Sequence, residues 1–267
     1  MGRYDDEVMN AVGLRGTVSV AELAALLDVS EQTVRRIVKP MVARGDVEKV
    51  HGAIRANNYR ANNHTGNNRT GTGGALGQAP FLTRMNVNQR AKLAIATEVA
   101  GMISDGDTIA LDTGSTTGFI AQALRQHRGL TVVTNSSFIA TSLATIPGNR
   151  VHMAGVELRN HDGASFDRSA FAVVAAMRVR WAILSTSAVD RRRGCMVHEL
   201  CEAEMSAAMG DIADTRIVAV DHTKFGTSGL VAMAQLCSGD VVVTDQAAPR
   251  GFVRALAPAA VRVAQAS

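Results

Sequence analysis

One polar stretch of the sequence has the composition of an anion-binding loop at the start of a helix. Residues 107–118 read DTIALDTGSTTG, an apolar run followed by hydroxyls and glycines and then by a helical pattern. Free backbone amides at a helix start attract phosphate, and the hydroxyls of Ser115, Thr116 and Thr117 add hydrogen-bonding groups. Asp112 could accept hydrogen bonds from sugar hydroxyls. An ordinary capped turn is the alternative interpretation, and this segment alone leaves the two open.

Two later motifs also carry polar groups directly after an apolar run. Residues 132–136 read VVTNS, and residues 220–226 read VDHTKFG, which contains Lys224. Lys224 is a candidate phosphate ligand or the counter-ion of Asp112 or Asp221, and such a pair is also a common structural ion pair. In parallel α/β folds, ligands bind at the carboxyl ends of strands, where a loop leads into a helix. All three motifs fall at such positions.

The elements that position these groups follow from the alternation of apolar runs and helical patterns after residue 80. Strands are predicted over residues 108–111, 130–134, 151–153, 181–185, 217–220 and 241–244. Helices are predicted over residues 88–103, 116–127, 137–144, 200–213 and 252–256. Buried strands that alternate with helices predict a mainly parallel, Rossmann-like α/β domain with helices on both faces of the sheet.

The charge of the chain is concentrated near its N-terminus. The 267 residues are 46% apolar, 19% charged and only 4% aromatic, which is typical of a globular protein and disfavours base stacking on aromatic side chains. The net charge is +4, and residues 30–60 alone hold seven basic and three acidic side chains. Such a segment is expected in a small nucleic-acid-binding module, although a solvated helix face has the same charge.

The same basic segment has the pattern of two helices joined by a tight break. A short helix is predicted over residues 20–27, and a second over residues 30–43 begins at the N-cap Ser30. The apolar stripe of the second helix consists of Val34, Val38 and Met41. An earlier helix over residues 6–12 and a two-stranded wing over residues 47–54 would complete a winged helix-turn-helix with a basic outer face.

This segment resembles the N-terminal winged helix-turn-helix of DeoR-type bacterial transcriptional repressors: residues 18–54 read VSVAELAALLDVSEQTVRRIVKPMVARGDVEKVHGAI. The family usually has an aspartate where this chain has Ile37, and Pro40 inside the second helix predicts a kink. The side chains expected to contact DNA are Ser30, Gln32, Thr33, Arg35, Arg36, Lys39, Lys49 and His51. Thr33 and Arg35 would approach base edges, while the other basic side chains hold phosphates.

Four later segments resemble the effector-sensing domain of the same family. They read NVNQRAKLAIA, ISDGDTIALDTGSTT, LTVVTNS and VAVDHTKFG. The resemblance implies a fold related to ribose-5-phosphate isomerase and the CoA transferases, used to sense a phosphorylated sugar. Carried over by position, the effector-binding residues are Asp112, Thr113, Gly114, Ser115, Thr116, Thr117, Thr134, Asn135, Ser136 and Lys224. The chain departs from the family at Ala154, where a glycine is usual, and at Ser206 and Ala207, where basic residues are usual.

Other functions fit only parts of the sequence. An actin-like sugar kinase has a phosphate loop similar to residues 112–117, but that loop joins two strands near the start of its chain. A sugar-phosphate isomerase or a transferase stays open by analogy of fold, but the sequence contains no convincing acid/base pair. Cys195, His198 and Cys201 have the spacing of a partial zinc site without a fourth ligand. We therefore predict no catalytic residue, no metal and no cofactor.

The sequence predicts a winged helix-turn-helix over residues 1–56, a flexible Asn/Gly-rich linker over 57–79 and an α/β sensor over 80–267. We expect a transcriptional repressor of a carbohydrate-metabolism operon that binds a double-stranded DNA operator and is relieved by a phosphorylated sugar or polyol. A homo-oligomer, dimer or tetramer, is expected because two-fold operators match two-fold proteins. The sequence lacks both a membrane-length apolar run and a signal-peptide pattern, so we expect a cytoplasmic protein without membrane contact.

Overall fold

The computed structural model divides the chain into two compact units, Met1–Thr72 and Gly73–Ser267. The residues that the structure describes are 4, 7–8, 11–12, 17–44, 47–50, 53–56 and 80–264. The predicted linker over residues 57–79 lies outside the described residues. Within them, the structure contains no helix that combines the length and apolar character needed to span a membrane.

The first unit has the predicted winged helix-turn-helix fold. Its elements are β1 (Thr17–Ser19), α1 (Val20–Leu27), α2 (Glu31–Arg44), β2 (Val47–Val50) and β3 (Ala53–Ala56). The strands form an antiparallel sheet in the order β1-β3-β2. Part of the predicted helix over residues 6–12 is described, and its residues Val8 and Val12 are buried in the core of this unit.

Local hydrogen bonds explain where the two helices begin. Ser19 Oγ accepts a hydrogen bond from the Glu22 amide (3.1 Å), and the Ser19 amide donates to Glu22 Oε2 (2.8 Å), which together form a capping box. Asp28 adopts the left-handed conformation (φ 51°) and ends α1. Ser30 Oγ accepts from the Thr33 amide (3.2 Å) at the start of α2. These polar side chains fix the tight break between the helices.

The predicted apolar stripe of α2 is confirmed. Its three residues are fully buried in the core of the first unit: Val34, Val38 and Met41. Pro40 is exposed, and α2 runs through it from Glu31 to Arg44. The proline ring removes one backbone donor, but the packing of the stripe on both sides of it holds the helix as one element.

The second unit contains a parallel sheet, as predicted. Its strands are β4 (Thr108–Leu111), β5 (Thr131–Thr134), β6 (Arg150–Met153), β7 (Val179–Ser185), β8 (Ala188–Asp190), β9 (Gly194–Val197), β10 (Ala213–Ala219), β11 (Val231–Ala232), β12 (Val241–Thr244) and β13 (Ala260–Val263). Seven of these form a sheet in the order β13-β12-β10-β7-β4-β5-β6, and all neighbouring pairs are parallel. The other three form a small antiparallel sheet in the order β11-β9-β8.

Helices cover both faces of the large sheet. They are α3 (Phe81–Met85), α4 (Gln89–Met102), α5 (Ser115–Ala123), α6 (Ser137–Ala144), α7 (Arg168–Ala175), α8 (Leu200–Asp211) and α9 (Val253–Leu256). One core cluster contains residues of α4, α5 and α6, including Ile95, Ile120 and Ile139, and another contains residues of α7 and α8, including Val174 and Met209. The strands are therefore buried on both faces, which is why they read as continuous apolar runs.

Candidate functional site

Four adjacent strands of the large sheet place polar side chains in one row at its carboxyl edge. Asn135 follows β5, Asp112 follows β4, Ser185 ends β7 and Asp221 lies just beyond β10. Because these strands are neighbours in the order β10-β7-β4-β5, residues far apart in the chain converge. They line one pocket that opens at the carboxyl edge of the sheet, the place where parallel α/β folds bind ligands.

Hydrogen bonds of Asp112 link β4 to β7, the two neighbouring strands between which the strand order of the sheet reverses. Its Oδ2 accepts a hydrogen bond from the Ser185 amide (2.9 Å) and its Oδ1 accepts one from the Ser185 hydroxyl (3.3 Å). The chain runs from β4 outward to β6 and returns at β7 on the other side of β4, a reversal that opens a ligand-binding crevice. Burial raises the pKa of Asp112 to about 8, so the neutral carboxylic acid predominates at pH 7.

Helix α5 begins in this pocket. Gly114 is its N-cap and provides no capping side chain, and residues 113–116 line the pocket wall. The first amides of a helix have no acceptor within it and lie at the positive end of the helix dipole. Space requires the glycine, because an ideal Cβ on Gly114 would lie 2.2 Å from Ser185 Oγ. This helix start suits a phosphate group.

Lys92 of α4 brings a buried cation to the same pocket. The residue is only 3% exposed, and its Nζ donates hydrogen bonds to the backbone oxygens of Arg84 (2.6 Å) and Val87 (2.7 Å). An ammonium group has three donors, so one is left for a ligand. Burial lowers the pKa of Lys92 to about 8, while Asp221 opposes that shift. An anion bound beside Lys92 would favour its charged form.

Two more cations, Arg84 of α3 and Lys224, line the pocket. Lys224 ends a short 3₁₀ turn over His222–Lys224 that follows β10. The charges of Lys224 and Arg84 both lower the pKa of Lys92, because the three cations lie near one another. Burial also lowers the pKa of Arg84. The carboxylates of Glu202 and Asp221 lie in the same pocket, so the pocket places positive and negative groups side by side.

Three buried polar atoms of the pocket residues have no hydrogen-bond partner in the part of the chain that the structure describes: Thr113 Oγ1, Asn135 Oδ1 and Asp221 Oδ2. The other carboxylate oxygen of Asp221, Oδ1, accepts from the Thr223 amide (3.1 Å) and from Asn88 Nδ2 (3.2 Å). A buried acceptor without a donor costs about 1–3 kcal/mol. The unpartnered atoms therefore indicate a ligand that carries several O–H donors.

Seven of the ten predicted effector-binding residues line this pocket: Asp112, Thr113, Gly114, Ser115, Thr116, Asn135 and Lys224. The other three, Thr117, Thr134 and Ser136, are fully buried and are not among its lining residues. Thr117 Oγ1 donates to the Gly114 backbone oxygen (3.0 Å), and Thr134 Oγ1 accepts from the Ser136 amide (3.1 Å). The hydroxyls of Thr117 and Thr134 thus shape the loops rather than face the pocket.

The sequence prediction missed Lys92 and Arg84. Lys92 lies on the same stripe of α4 as Ile95, Ala96 and Val99, all of which are buried. A lysine at a core position of an otherwise apolar stripe is unusual, and this was the signal that could have identified it. Arg84 gave no such signal, because α3 is too short to show a pattern.

Glu202 is not among the predicted site residues, but its side chain lines the pocket. Its Oε2 accepts hydrogen bonds from the His198 and Glu199 amides (both 3.1 Å), which fixes it at the start of α8. Residues 185–187, which form another part of the wall, were also missed, since only their strand was predicted.

The raised pKa of Asp112 predicts a pH-dependent stability. An aspartate in the unfolded chain has a pKa of about 3.9, so the folded state binds this proton more tightly. The resulting stabilisation is complete below pH ~4 and is lost as the pH rises towards 8. Asp112→Asn keeps an acceptor for the Ser185 amide but does not titrate. We expect the Tm of this variant, relative to the Tm of the wild type, to increase by several degrees as the pH is raised from 5 to 8.5. Parallel Tm curves for the two proteins would contradict the assignment.

The close approach at Gly114 predicts loss of ligand binding on Gly114→Ala. The added methyl would overlap Ser185 Oγ, at 2.2 Å, and would displace the loop that opens α5. We expect binding of inorganic phosphate, measured by calorimetry, to weaken at least tenfold. Gly101→Ala is the matched control, because a Cβ there meets no atom within 4 Å.

The exposed face of the first unit carries most of the predicted DNA-contacting residues. Gln32, Arg35, Arg36 and Lys39 are exposed on α2, and Lys49 is exposed on strand β2 of the wing. The buried stripe faces the opposite side of α2, so these groups point to solvent. Their arrangement presents a polar and basic helix surface suited to a DNA groove.

Local contacts distinguish some of these candidates. Thr33 is half-buried, and its hydroxyl is hydrogen-bonded to Ser30 Oγ (2.9 Å). Arg35 forms an exposed ion pair with Glu31 (2.9 Å), a type of contact that contributes little to stability. His51 lies outside the described residues. Gln32, Arg35, Arg36 and Lys39 are therefore the exposed candidates for DNA contact on α2.

Fold and pocket define a protein with a winged helix-turn-helix unit and a parallel α/β unit, whose pocket is lined by basic side chains and by the start of a helix. A family model described as a DeoR-like helix-turn-helix domain matches residues 5–60, and one described as a DeoR C-terminal sensor domain matches residues 87–246. The chain belongs to the DeoR family.

Curated relatives match along most of the chain. The HTH-type transcriptional repressor CsqR of Escherichia coli K12 is 30% identical over 245 residues, which cover 91% of this chain and 87% of that protein. The glycerol-3-phosphate regulon repressor of the same organism is 27% identical over 253 residues, which cover 93% and 92%. Among solved structures, ribose 5-phosphate isomerase A from Methanocaldococcus jannaschii aligns with a TM-score of 0.37 at 16% identity, over 52% of this chain and 55% of that chain.

Proposed function

We propose that this protein is a DNA-binding transcriptional repressor of a carbohydrate-metabolism operon, and that a phosphorylated sugar or polyol in the α/β pocket weakens its binding to DNA. Membership of the DeoR family and the exposed basic face of α2 support the DNA-binding part. Relatives that include a glycerol-3-phosphate regulon repressor and a putative aga operon transcriptional repressor support the link to carbohydrates.

The observation that carries the effector assignment is the mixture of groups in one pocket. Lys92, Lys224 and the start of α5 offer positive charge and N–H donors to an anion, whereas Asn135 Oδ1 and Asp221 Oδ2 are buried acceptors without a hydrogen-bond donor among the described residues. Inorganic phosphate would satisfy only the first group, and an unphosphorylated sugar only the second. A small molecule with a phosphate at one end and hydroxyls at the other satisfies both.

The proposed binding mode assigns each end of the effector to a set of atoms. The phosphate accepts hydrogen bonds from the amides at the start of α5 and from the free donor of Lys92, with Lys224 and Arg84 adding positive charge. The hydroxyls donate to Asn135 and Asp221. Neutral Asp112 can donate a hydrogen bond to a hydroxyl without adding negative charge beside the phosphate.

The response of DNA binding requires that the effector prefer one of two states of the protein. An effector that binds both states equally does not shift the equilibrium between them. The coupling is reciprocal, so bound DNA must lower the affinity for the effector by the same factor. A coupling of 1–3 kcal/mol, about 5–150-fold, is typical. We also propose that the protein acts as a homo-oligomer on a two-fold operator and, because the repressors that resemble it are bacterial, that it works in the cytoplasm.

We propose that the pocket senses its ligand without transforming it. The family models that match the chain are described as a helix-turn-helix domain and a sensor domain, which supports this proposal. NMR spectra of a bound phosphorylated sugar after prolonged incubation would show it unchanged. Formation of an isomer or of free phosphate would instead indicate an enzyme.

A thermal-shift panel tests the effector class. We expect one or more sugar or polyol phosphates to raise Tm by about 5–10 °C at 100 times Kd, with a smaller rise for inorganic phosphate and none for the unphosphorylated parent compound. The proposal fails if no phosphorylated compound stabilises the protein, or if the unphosphorylated parent stabilises it equally.

A further inference from the structure

A cluster of five arginines lies on the surface of the α/β unit, outside the pocket. Arg191, Arg192 and Arg193 form the turn between β8 and β9, and Arg250 and Arg254 belong to the short 3₁₀ and α-helical turns before β13. All five residues are exposed. Among the described residues, none of the five guanidinium groups forms an ion pair. We call these five residues the arginine surface.

Packing of the two segments holds the arginine surface together. The guanidinium of Arg191 lies 5.2 Å from the centre of the Phe252 ring, and an ideal Cβ on Gly251 would lie 3.2 Å from Arg191 Nε. On the other side of the turn, an ideal Cβ on Gly194 would lie 3.2 Å from the Ala255 backbone oxygen. The five charges therefore come from two segments that the fold fixes side by side.

Little negative charge offsets this surface. Asp190 is the only acidic residue in the segments 190–194 and 249–255, and its Oδ1 accepts hydrogen bonds from the Arg192 and Arg193 amides (both 2.8 Å). Residues 80–264 hold 18 basic and 16 acidic side chains, and outside the two segments they hold 13 and 15. The excess positive charge of the α/β unit is thus confined to the arginine surface.

We propose that the arginine surface is a second DNA-binding surface, which holds duplex phosphates without recognising sequence. Guanidinium groups bind phosphate through paired N–H donors, and a DNA duplex presents phosphates at regular spacing over any length. This inference rests on the proposed function, in which the winged helix binds DNA, because the same DNA then provides the phosphates. Arginines that lack ion-pair partners can contact phosphates without first breaking internal contacts.

Salt-dependent binding of the full-length protein to a 40-bp duplex of arbitrary sequence tests this proposal. The test variant combines Arg192→Ala, Arg193→Ala and Arg254→Ala, and leaves Arg191 on its ring contact. Its matched control removes the same charge from exposed sites elsewhere on the unit, through Arg90→Ala, Arg125→Ala and Arg168→Ala. Equal Tm values for the two variants and the wild type check that all are folded.

We expect the test variant to lower the slope of log Kd against log salt by about 2–3, at ~0.9 for each phosphate that an arginine no longer neutralises, and to weaken binding about tenfold at moderate salt. The control should match the wild type. The same difference should persist when Arg35→Ala and Arg36→Ala disable the winged helix. Identical slopes for test and control variants would overturn the proposal, as would an effect confined to effector binding. If the wild type bound no DNA at all, the proposed function would fail as well.

Discussion

Replacing Arg35 and Arg36 with alanine is expected to weaken binding to operator DNA by about 100-fold. Both side chains are exposed on α2, and a good arginine contact to a base or phosphate contributes about 1–3 kcal/mol. The pair contributes little to the fold, because Arg35 has only an exposed ion pair with Glu31. The slope of log Kd against log salt should also fall, by about 2 if both contact phosphates.

Fluorescence anisotropy with the DNA upstream of the protein's own gene measures this effect. The control is Arg125→Ala with Arg168→Ala, two exposed arginines of the α/β unit that remove the same charge. Unchanged operator affinity in the α2 variant would exclude α2 as the DNA-contacting helix. An equal loss in the control would show that net charge, rather than α2, determines affinity.

Two single variants are expected to affect binding of the phosphate end and of the hydroxyl end of the effector separately. Lys92→Met removes the buried ammonium that faces the pocket and should weaken both inorganic phosphate and a phosphorylated sugar by about 10–100-fold, since a charged hydrogen bond contributes about 1.5–3 kcal/mol. Asp221→Asn replaces the unpartnered Oδ2 and should weaken binding of the phosphorylated sugar about tenfold, while binding of inorganic phosphate changes much less. Calorimetry with both ligands measures the difference.

Two further variants make this comparison decisive. Arg90→Met removes an exposed cation from the same helix and should bind both ligands normally. Lys92→Gln keeps a donor for the backbone oxygens of Arg84 and Val87, so it separates loss of charge from loss of folding. If Asp221→Asn weakened phosphate as much as Lys92→Met does, the two ends of the pocket would be wrongly assigned.

The sequence predicted the sheet and its carboxyl edge because the central strands are buried on both faces. The runs at 108–111 and 241–244 match β4 and β12 in full, and the polar residues after them mark where the strands end. The outermost strand β13 was missed, since all four of its residues are exposed and it therefore lacks a continuous apolar run. The hairpin β8–β9 was also missed, because its strands of three and four residues are too short for periodicity to identify, and helix α7 was not predicted.

The sequence identified the loop part of the pocket but not its cations. Residues 112–116 follow a strand and open a helix, so their position follows from the chain itself. Lys92 lines the pocket because α4 packs against the sheet, and Arg84 lines it because α3 directly precedes α4. Neither position can be derived from the spacing of residues in the sequence. Asn88, which donates a hydrogen bond to Asp221 Oδ1, lies 133 residues away in the chain, and such pairing between distant segments is not visible in one sequence.

The most direct test of the account is the affinity of the full-length protein for its operator duplex, titrated with the sugar phosphate that gives the largest thermal shift. We expect Kd to rise at least tenfold and to saturate with effector in the wild type. Lys92→Met should keep the tight Kd and lose the response. An operator Kd that stays constant at saturating effector, or a full response in Lys92→Met, would contradict the account.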